Sequence, residues 1–442
     1  MIKPGLSTIA LDIGSTSIKC ALIEPESGEL VRCIKRPFPE PQGNLPAGHV
    51  EVDPNAVVQA VRSVLLELSE HSSGHCSVWV CGQMGGVVLA DDKGRAKSNY
   101  ISWRDQRTSA RSSNGRSFLE TIRLDWPENV FSVLGRELQP GSTSALLHWL
   151  SESRKLADGV LPLSIADYCI SHLTQQPGCM HPTHAIGLLD LNKLDWHYAA
   201  LERIGLGDLW WPELMHHTNS IGRYSVGGKI FDFHGSYGDQ QCALYGSGLA
   251  TNELSINVST GSQVSILSDQ FQSGPYQTRC YFHGKWLNTI THLPAGRSLN
   301  AWVNLLSELA DSEGKSLEHV WETIAKKMEQ VTHTDLQTDL SLFPSPVGST
   351  GSLSNITLEN LNVGNLFLAA CTSMVENYFH QSQRLSTKEP WQSIVVSGGL
   401  GASLPKFLDL IRSRFQRTVR ESSGEETLLG LARLANHNSS QQ

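Results

Sequence analysis

The sequence predicts an α/β chain of two domains of similar plan, each a mixed β-sheet flanked by helices. Three observations lead there. The 442 residues exceed the size at which one hydrophobic core keeps growing. The chain opens on a strand, a polar Gly/Ser/Thr turn and a second strand, IALDIGSTSIKCALIE. The same device returns about 245 residues later as LSINVSTGSQVSIL. The boundary is set at residue 247, giving domains 1–247 and 248–442.

After the opening hairpin, PFPEPQGNLPAGH holds neither helix nor central strand and reads as a surface loop. Asp53-Pro54 supplies an N-cap and a first-turn proline, and Val57, Val58, Ala60, Val61, Val64, Leu65 and Leu68 give the following helix one apolar face. CSVWVCG over 76–82 reads as a buried strand ending in the turn Gln83-Met84-Gly85-Gly86, and VVLADDKG as a strand entering a turn. TSALLHWLSESRKLAD reads as a helix, and a second Gly-rich block near Gly235 carries YGDQQCALYGSGL. The long apolar helix NLFLAACTSMVENYFHQSQRL leads to the strand SIVVSGG and the helix LPKFLDLIRSRF. The polar end NHNSSQQ is expected to fray.

Composition removes several classes of function. The residues are 40% hydrophobic and 18% charged, as in ordinary α/β enzymes. A formal net charge of −8 without a Lys/Arg cluster argues against nucleic acid as a partner. Nine cysteines, scattered without a C-x-x-C pair, read as buried thiols of a reducing compartment. With no leader-like N-terminus and no apolar run of about 18 residues, a cytoplasmic protein without membrane contact is expected. His181 and His184 in HPTH lack a third ligand nearby, so no metal site is expected there.

A triphosphate needs backbone N–H groups and hydroxyls converging on its oxygens and a carboxylate to hold Mg²⁺. Gly14, Ser15, Thr16 and Ser17 can supply the first, with Asp12 as the metal-holding acid. An Asx turn explains Asp12 as well. Thr260-Gly261-Ser262 is an equally short signal. The order is more telling: an acid-bearing turn at 12, Gly-Asp-Gln-Gln at 238–241, a Ser/Thr/Gly turn at 260 and a Gly-rich strand end at 398.

In that order the chain resembles the FGGY carbohydrate kinases, a branch of the actin, Hsp70 and hexokinase superfamily. LDIGSTSIK is similar to the family's first phosphate motif, and CGQMGGVVLADDKGRAKSNYISWRDQRT to its sugar-binding segment. GDQQCALYGSG resembles the segment with the catalytic Asp, STGS the second phosphate loop and VVSGGLGAS the adenosine loop. Within the family, the likeness is greatest to sedoheptulokinases and xylulokinases. The resemblance implies two actin-like (ribonuclease H-like) ATPase domains with an interdomain active-site cleft. It also implies ATP and Mg²⁺ as cofactors, a small-molecule sugar as partner, and a monomer or homodimer. The nucleotide would be held by Gly14, Ser15, Thr16, Ser17, Lys19, Thr260, Gly261, Ser262, Gly296, Gly398, Gly399, Gly401 and Ser403. The sugar would meet Gln83, Met84, Trp103, Asp105, Arg107, Asp239 and Gln240. Two positions depart from the family pattern: Gly85 replaces the His of Gln-Met-His-Gly, and Leu400 replaces a third Gly.

Phosphoryl transfer asks mainly for positioning and charge neutralisation. Asp239, after Gly238 at a loop-to-helix transition, is the expected base, with Gln240 as a hydroxyl ligand; a helix cap is the alternative for Asp239. Trp103 and Met84 fit a sugar wall or a core, and Arg107 can pair with Asp105 across a loop. The expected activity is ATP-dependent phosphorylation of a ketose, sedoheptulose foremost, with xylulose- or ribulose-type pentuloses as the alternative. Two further readings stand beside it: a non-kinase ATPase of the same superfamily and a degenerate, sugar-binding kinase.

Overall fold

The computed structural model describes residues 6–24, 27–112, 115–216, 219–422 and 424–441. Leu6–Ile13 (β1) and Ser17–Ile23 (β2) form the opening hairpin, and Leu30–Pro37 (β3) follows antiparallel. Helix α1 (Pro54–Ser69) is capped by Asp53, whose carboxylate accepts from Asn55 N, and it buries the predicted Val/Leu face. His75–Gly82 (β4) lies parallel to β1, in the expected place. Helices α2 (Thr143–Glu152) and α3 (Ile165–Thr174) precede Gly222–Val226 (β5) and Lys229–Gly238 (β6). The first sheet runs β5-β6-β4-β1-β2-β3.

Helix α4 (Asp239–Gly246) leads to the second sheet. Its strands are Glu253–Val258 (β7), Ser262–Ser268 (β8), Gln277–Cys280 (β9) and Trp286–Leu293 (β10). Helices α5 (Gly296–Ser312) and α6 (Val363–Leu385) follow. Ser393–Ser397 (β11), helix α7 (Pro405–Phe415) and Thr418–Glu421 (β12) complete the lobe, in the order β9-β10-β8-β7-β11-β12.

The two sheets share one plan. In the first, β1 pairs antiparallel with β2, β2 antiparallel with β3, and β1, β4 and β6 run parallel. In the second, β7–β8 and β8–β10 are antiparallel while β7, β11 and β12 run parallel. The recurrent strand, turn and strand of the sequence therefore opens two mixed sheets that share a five-strand order, β3-β2-β1-β4-β6 and β10-β8-β7-β11-β12, and differ in the sixth strand, β5 lying beyond β6 and β9 beyond β10.

The polar tail does not fray in the expected way: Glu426–Gln441 is a helix (α8). Leu428, Leu431 and Leu434 are buried in a cluster with Trp79, Cys81 and Tyr237 of the first lobe and Leu287 and Val395 of the second. Leu431 thus sits between lobes, and apolar burial of this kind outweighs the weak helix propensity of the Asn/Ser end. Although α8 follows residue 247, it packs on α4 and β1. No helix among the described residues is long and apolar enough to cross a membrane.

Candidate active site

Parallel strands place their C-terminal ends on one edge, where an α/β sheet presents its ligand-binding loops. Here Ile13 of β1 pairs with Gly82 of β4, and Gly82 with Gly238 of β6. The residues that leave those ends are therefore neighbours: the Gly14 turn, Gln83 and Asp239. Met84 Sδ and Gln241 Oε1 fill the space over Gly238, so that a Cβ there would displace both side chains. This close packing brings Met84 beside Asp239.

Asp239 is the first residue of α4, and the N-cap is Gly238. Its Oδ1 accepts from Gln240 N at 2.8 Å. Burial, then the nearby Asp12 carboxylate, raise its pKa from 3.8 to about 7. Asp12 itself is raised by burial, against a hydrogen bond from Thr427 Oγ1 to its Oδ2 at 2.8 Å. Its Oδ1 is buried and has no partner among the described residues, which fits a carboxylate awaiting a cation better than an Asx turn.

The Gln83 side chain is 2% exposed, and neither amide atom has a hydrogen bond among the described residues. Such an amide calls for a polar ligand. Gly85 has φ +76°, and a Cβ there would stand 3.1 Å from Gly141 O and 3.2 Å from Trp103 Cβ. The space next to this position is thus taken by the Gly141 backbone and Trp103, whose side chain stays exposed.

Asp105 and Arg107 are spent on each other. Asp105 is fully buried; it accepts from Val50 N at 2.7 Å, from Arg107 N and Nε at 2.8 Å, and from Arg107 Nη2 at 2.8 Å. Arg107 Nη2 also reaches Glu51 at 2.7 Å, and the guanidinium lies over Trp149. The pair braces the loop that presents Trp103, which is the loop-pairing alternative rather than a sugar contact. Gln240 is likewise turned from the expected hydroxyl-ligand role: its Nε2 donates to Gln263 Oε1 at 3.0 Å and Thr289 Oγ1 at 3.3 Å, and its Oε1 accepts from Arg279.

Gly14 N donates to Ser17 O at 3.1 Å, closing the first turn, in which Ser15 is half-buried and Thr16 exposed. Ser17 is buried. Lys19 points to an ion pair with Glu425. In the second turn Thr260 and Gly261 are exposed, but Ser262 turns inward to Tyr378 Oη at 2.6 Å. The bond between Gln263 and Gln240 ties the strand after this turn to α4. Gly296 N donates to Ser259 O at 3.0 Å, and a Cβ on Gly296 would come within 2.7 Å of that oxygen. Gly398 has φ +93° at the end of β11 and packs on the Val258 backbone. Gly399 and Ser403 bound a short helix in which Ser403 Oγ donates to Gly399 O. Gly401 is in that helix; its surroundings lie outside the described residues. Leu400, which stands in place of a third Gly, packs against the second core.

The sequence profile of the N-terminal domain of the FGGY family of carbohydrate kinases matches residues 7–231. The chain belongs to the FGGY family of carbohydrate kinases. It is accordingly an ATP-dependent carbohydrate kinase, with ATP as the family's phosphate donor. This FGGY kinase is 23% identical to sedoheptulokinase of Mus musculus over 90% of each chain. Among solved structures, it resembles a gluconate kinase from Lactobacillus acidophilus with a TM-score of 0.83 at 17% identity, over 99% of this chain and 90% of that one. A xylulose kinase from Rhodospirillum rubrum gives a TM-score of 0.83 at 18% identity, over 98% of this chain and 90% of that one. These likenesses give the FGGY kinase the two-domain actin-like fold.

Sequence reasoning missed several residues that build the site. Thr183, inside HPTH, is fully buried and accepts from Gly238 N at 3.0 Å, holding the end of β6 beside Asp239. His181 Nδ1 lies 2.8 Å from Thr183 Oγ1. Burial lowers His181 to about 3 and His184 to about 4, so both are neutral supports, and no metal-binding cluster occurs among the described residues. Asp167, raised to about 7 by burial, holds Ser164 and Ser236.

Proposed function

We propose that the protein transfers the γ-phosphate of ATP to a hydroxyl of an uncharged ketose, sedoheptulose being the first choice and a pentulose the second. The observation that carries this reading is the half-buried Asp239 carboxylate beside the orphaned Gln83 amide on one sheet edge. Asp239 would take the acceptor proton, Gln83 would hold a hydroxyl, and Met84 and Trp103 would wall the sugar. The turns at 15–16 and 260–261 would cradle the phosphates through their N–H groups. Asp12 would hold Mg²⁺, which when bound neutralises phosphate charge.

An uncharged acceptor is favoured because Arg107 and Arg279 are each spent on buried carboxylates, leaving neither free for a sugar acid. The sedoheptulokinase alignment, which spans most of both chains, supports a long ketose. ADP formation with a panel of C5 to C7 ketoses, polyols and gluconate tests this, alongside melting shifts with ADP and Mg²⁺. A ketose should stimulate turnover most. Stimulation by gluconate alone would overturn the uncharged acceptor, and ATP hydrolysis indifferent to every sugar would overturn the phosphotransfer.

A further inference from the structure

Strand β9, at the edge of the second sheet, is sewn to the first lobe. Thr278 N donates to Gly135 O at 3.0 Å, and Gly135 sits so close that a side chain there would overlap that strand. Gln277 Nε2 donates to Glu137 Oε2 at 3.0 Å, and Arg279 Nε forms an ion pair with Glu137 Oε1. Gln241 Nε2 reaches Cys280 O at 3.2 Å. Glu137 and Arg279 are 3% and 7% exposed, so this pair holds its place only if its other donors are also satisfied.

Arg279 Nη1 meets that demand at Gln240 Oε1. The other end of the Gln240 amide is held by Gln263 and Thr289. With its side chain clamped at both ends, Gln240 directs its backbone N–H at Asp239 Oδ1. A continuous chain therefore runs from Glu137 through Arg279 and Gln240 to Asp239, crossing between the lobes twice.

We propose that Arg279, aimed by Glu137, is a positioning residue: it fixes Gln240 and thereby the first turn of α4, so that a second-lobe side chain completes the acceptor site. The inference rests on the reading of Asp239 as the base. Lysine at 279 keeps a cation beside Glu137 but lacks the planar fork that spans two partners, so Arg279→Lys preserves the buried pair while cutting the tie to Gln240.

The test is a double-mutant cycle of Arg279→Lys and Gln240→Ala in the full chain, reading kcat for ketose-dependent ADP formation, KM for ATP and the melting temperature. A misplaced reacting group costs up to about 10²-fold. Each single variant should lose about 10- to 100-fold in kcat with KM for ATP unchanged. Because both act along one chain, the double variant should be little worse than either single one. Wild-type kcat in Arg279→Lys, or losses that multiply in the double variant, would overturn the inference while leaving the kinase reading intact. A wild type whose ADP formation responds to no ketose, polyol or gluconate would overturn both.

Discussion

Asp239→Asn is the perturbation that bears most directly on the chemistry. Asparagine keeps the Oδ1 acceptor that receives Gln240 N at 2.8 Å, so the first turn of α4 should persist. It replaces the second carboxylate oxygen by an amide that cannot take a proton. General-base catalysis contributes about 10²–10⁴-fold, and kcat should fall by that factor while KM for the ketose and for ATP change little. The raised pKa, about 7, adds two signatures. Activity of the wild type on kcat/KM should climb about tenfold per pH unit below 7 and level off above it, and the Asn variant should lack this limb. Stability has the opposite sign. The unfolded carboxyl loses its proton near the ordinary 3.8 while the folded one holds it to about 7, so the wild type loses stability as pH rises through that window. The Asn variant should melt level with the wild type near pH 4 and above it at pH 8. Coupled ADP assays and melting curves across pH decide. An Asn variant with near-wild-type ketose-dependent kcat and an unchanged acid limb would refute the base.

Three further outcomes are expected. Asp12→Ala removes the orphaned Oδ1 and should raise the Mg²⁺ and ATP requirements in titrations while the ketose-induced melting shift survives; loss of the ketose shift alone would contradict the metal role. Asp105→Ala strips Arg107 of its buried partner and should cost about 3–5 kcal/mol of unfolding free energy, read by urea denaturation; a stable variant with only a raised KM for ketose would instead make Asp105 a sugar ligand. Gly430→Val drives a side chain into the Cys242 backbone of α4 and should cost at least about 1–3 kcal/mol as an overpacked contact, lowering the melting temperature.

What the sequence disclosed follows the range of the interactions involved. The opening hairpin, the Asp53 cap and the Gly-rich strand ends depend on residues within a few positions of one another, so β1, β2, α1 and the turn at Asp12 were legible. Residues acting across the fold were not. Arg279 meets Glu137 142 residues away, Gly238 meets Thr183 55 away, and Asp12 meets Thr427 415 away. No periodicity marks such partners. Motif likeness also did not disclose the hydrogen bonds that its side chains make. Gln240 and Ser262 sit beside the cleft, yet their polar atoms point into the second lobe, because a motif fixes where a residue stands more firmly than which hydrogen bonds it makes.

The terminal helix shows how this non-local layer completes the site. Gly246 of α4 and Gly430 of α8 each abut the other helix so tightly that a Cβ would overlap its backbone, and this crossing leaves little slack for the start of α8 to move. That start carries Glu425 and Thr427. Glu425 takes Lys19 in an ion pair, and Thr427 fills one oxygen of Asp12. The turn after β1 is therefore built by residues far apart in the sequence: β1 and β2 give the backbone, and Thr427 of α8 holds one oxygen of Asp12. Because Thr427 occupies only Oδ2, the carboxylate is oriented without being consumed, and the packing of two glycines far from the turn becomes a condition for its geometry.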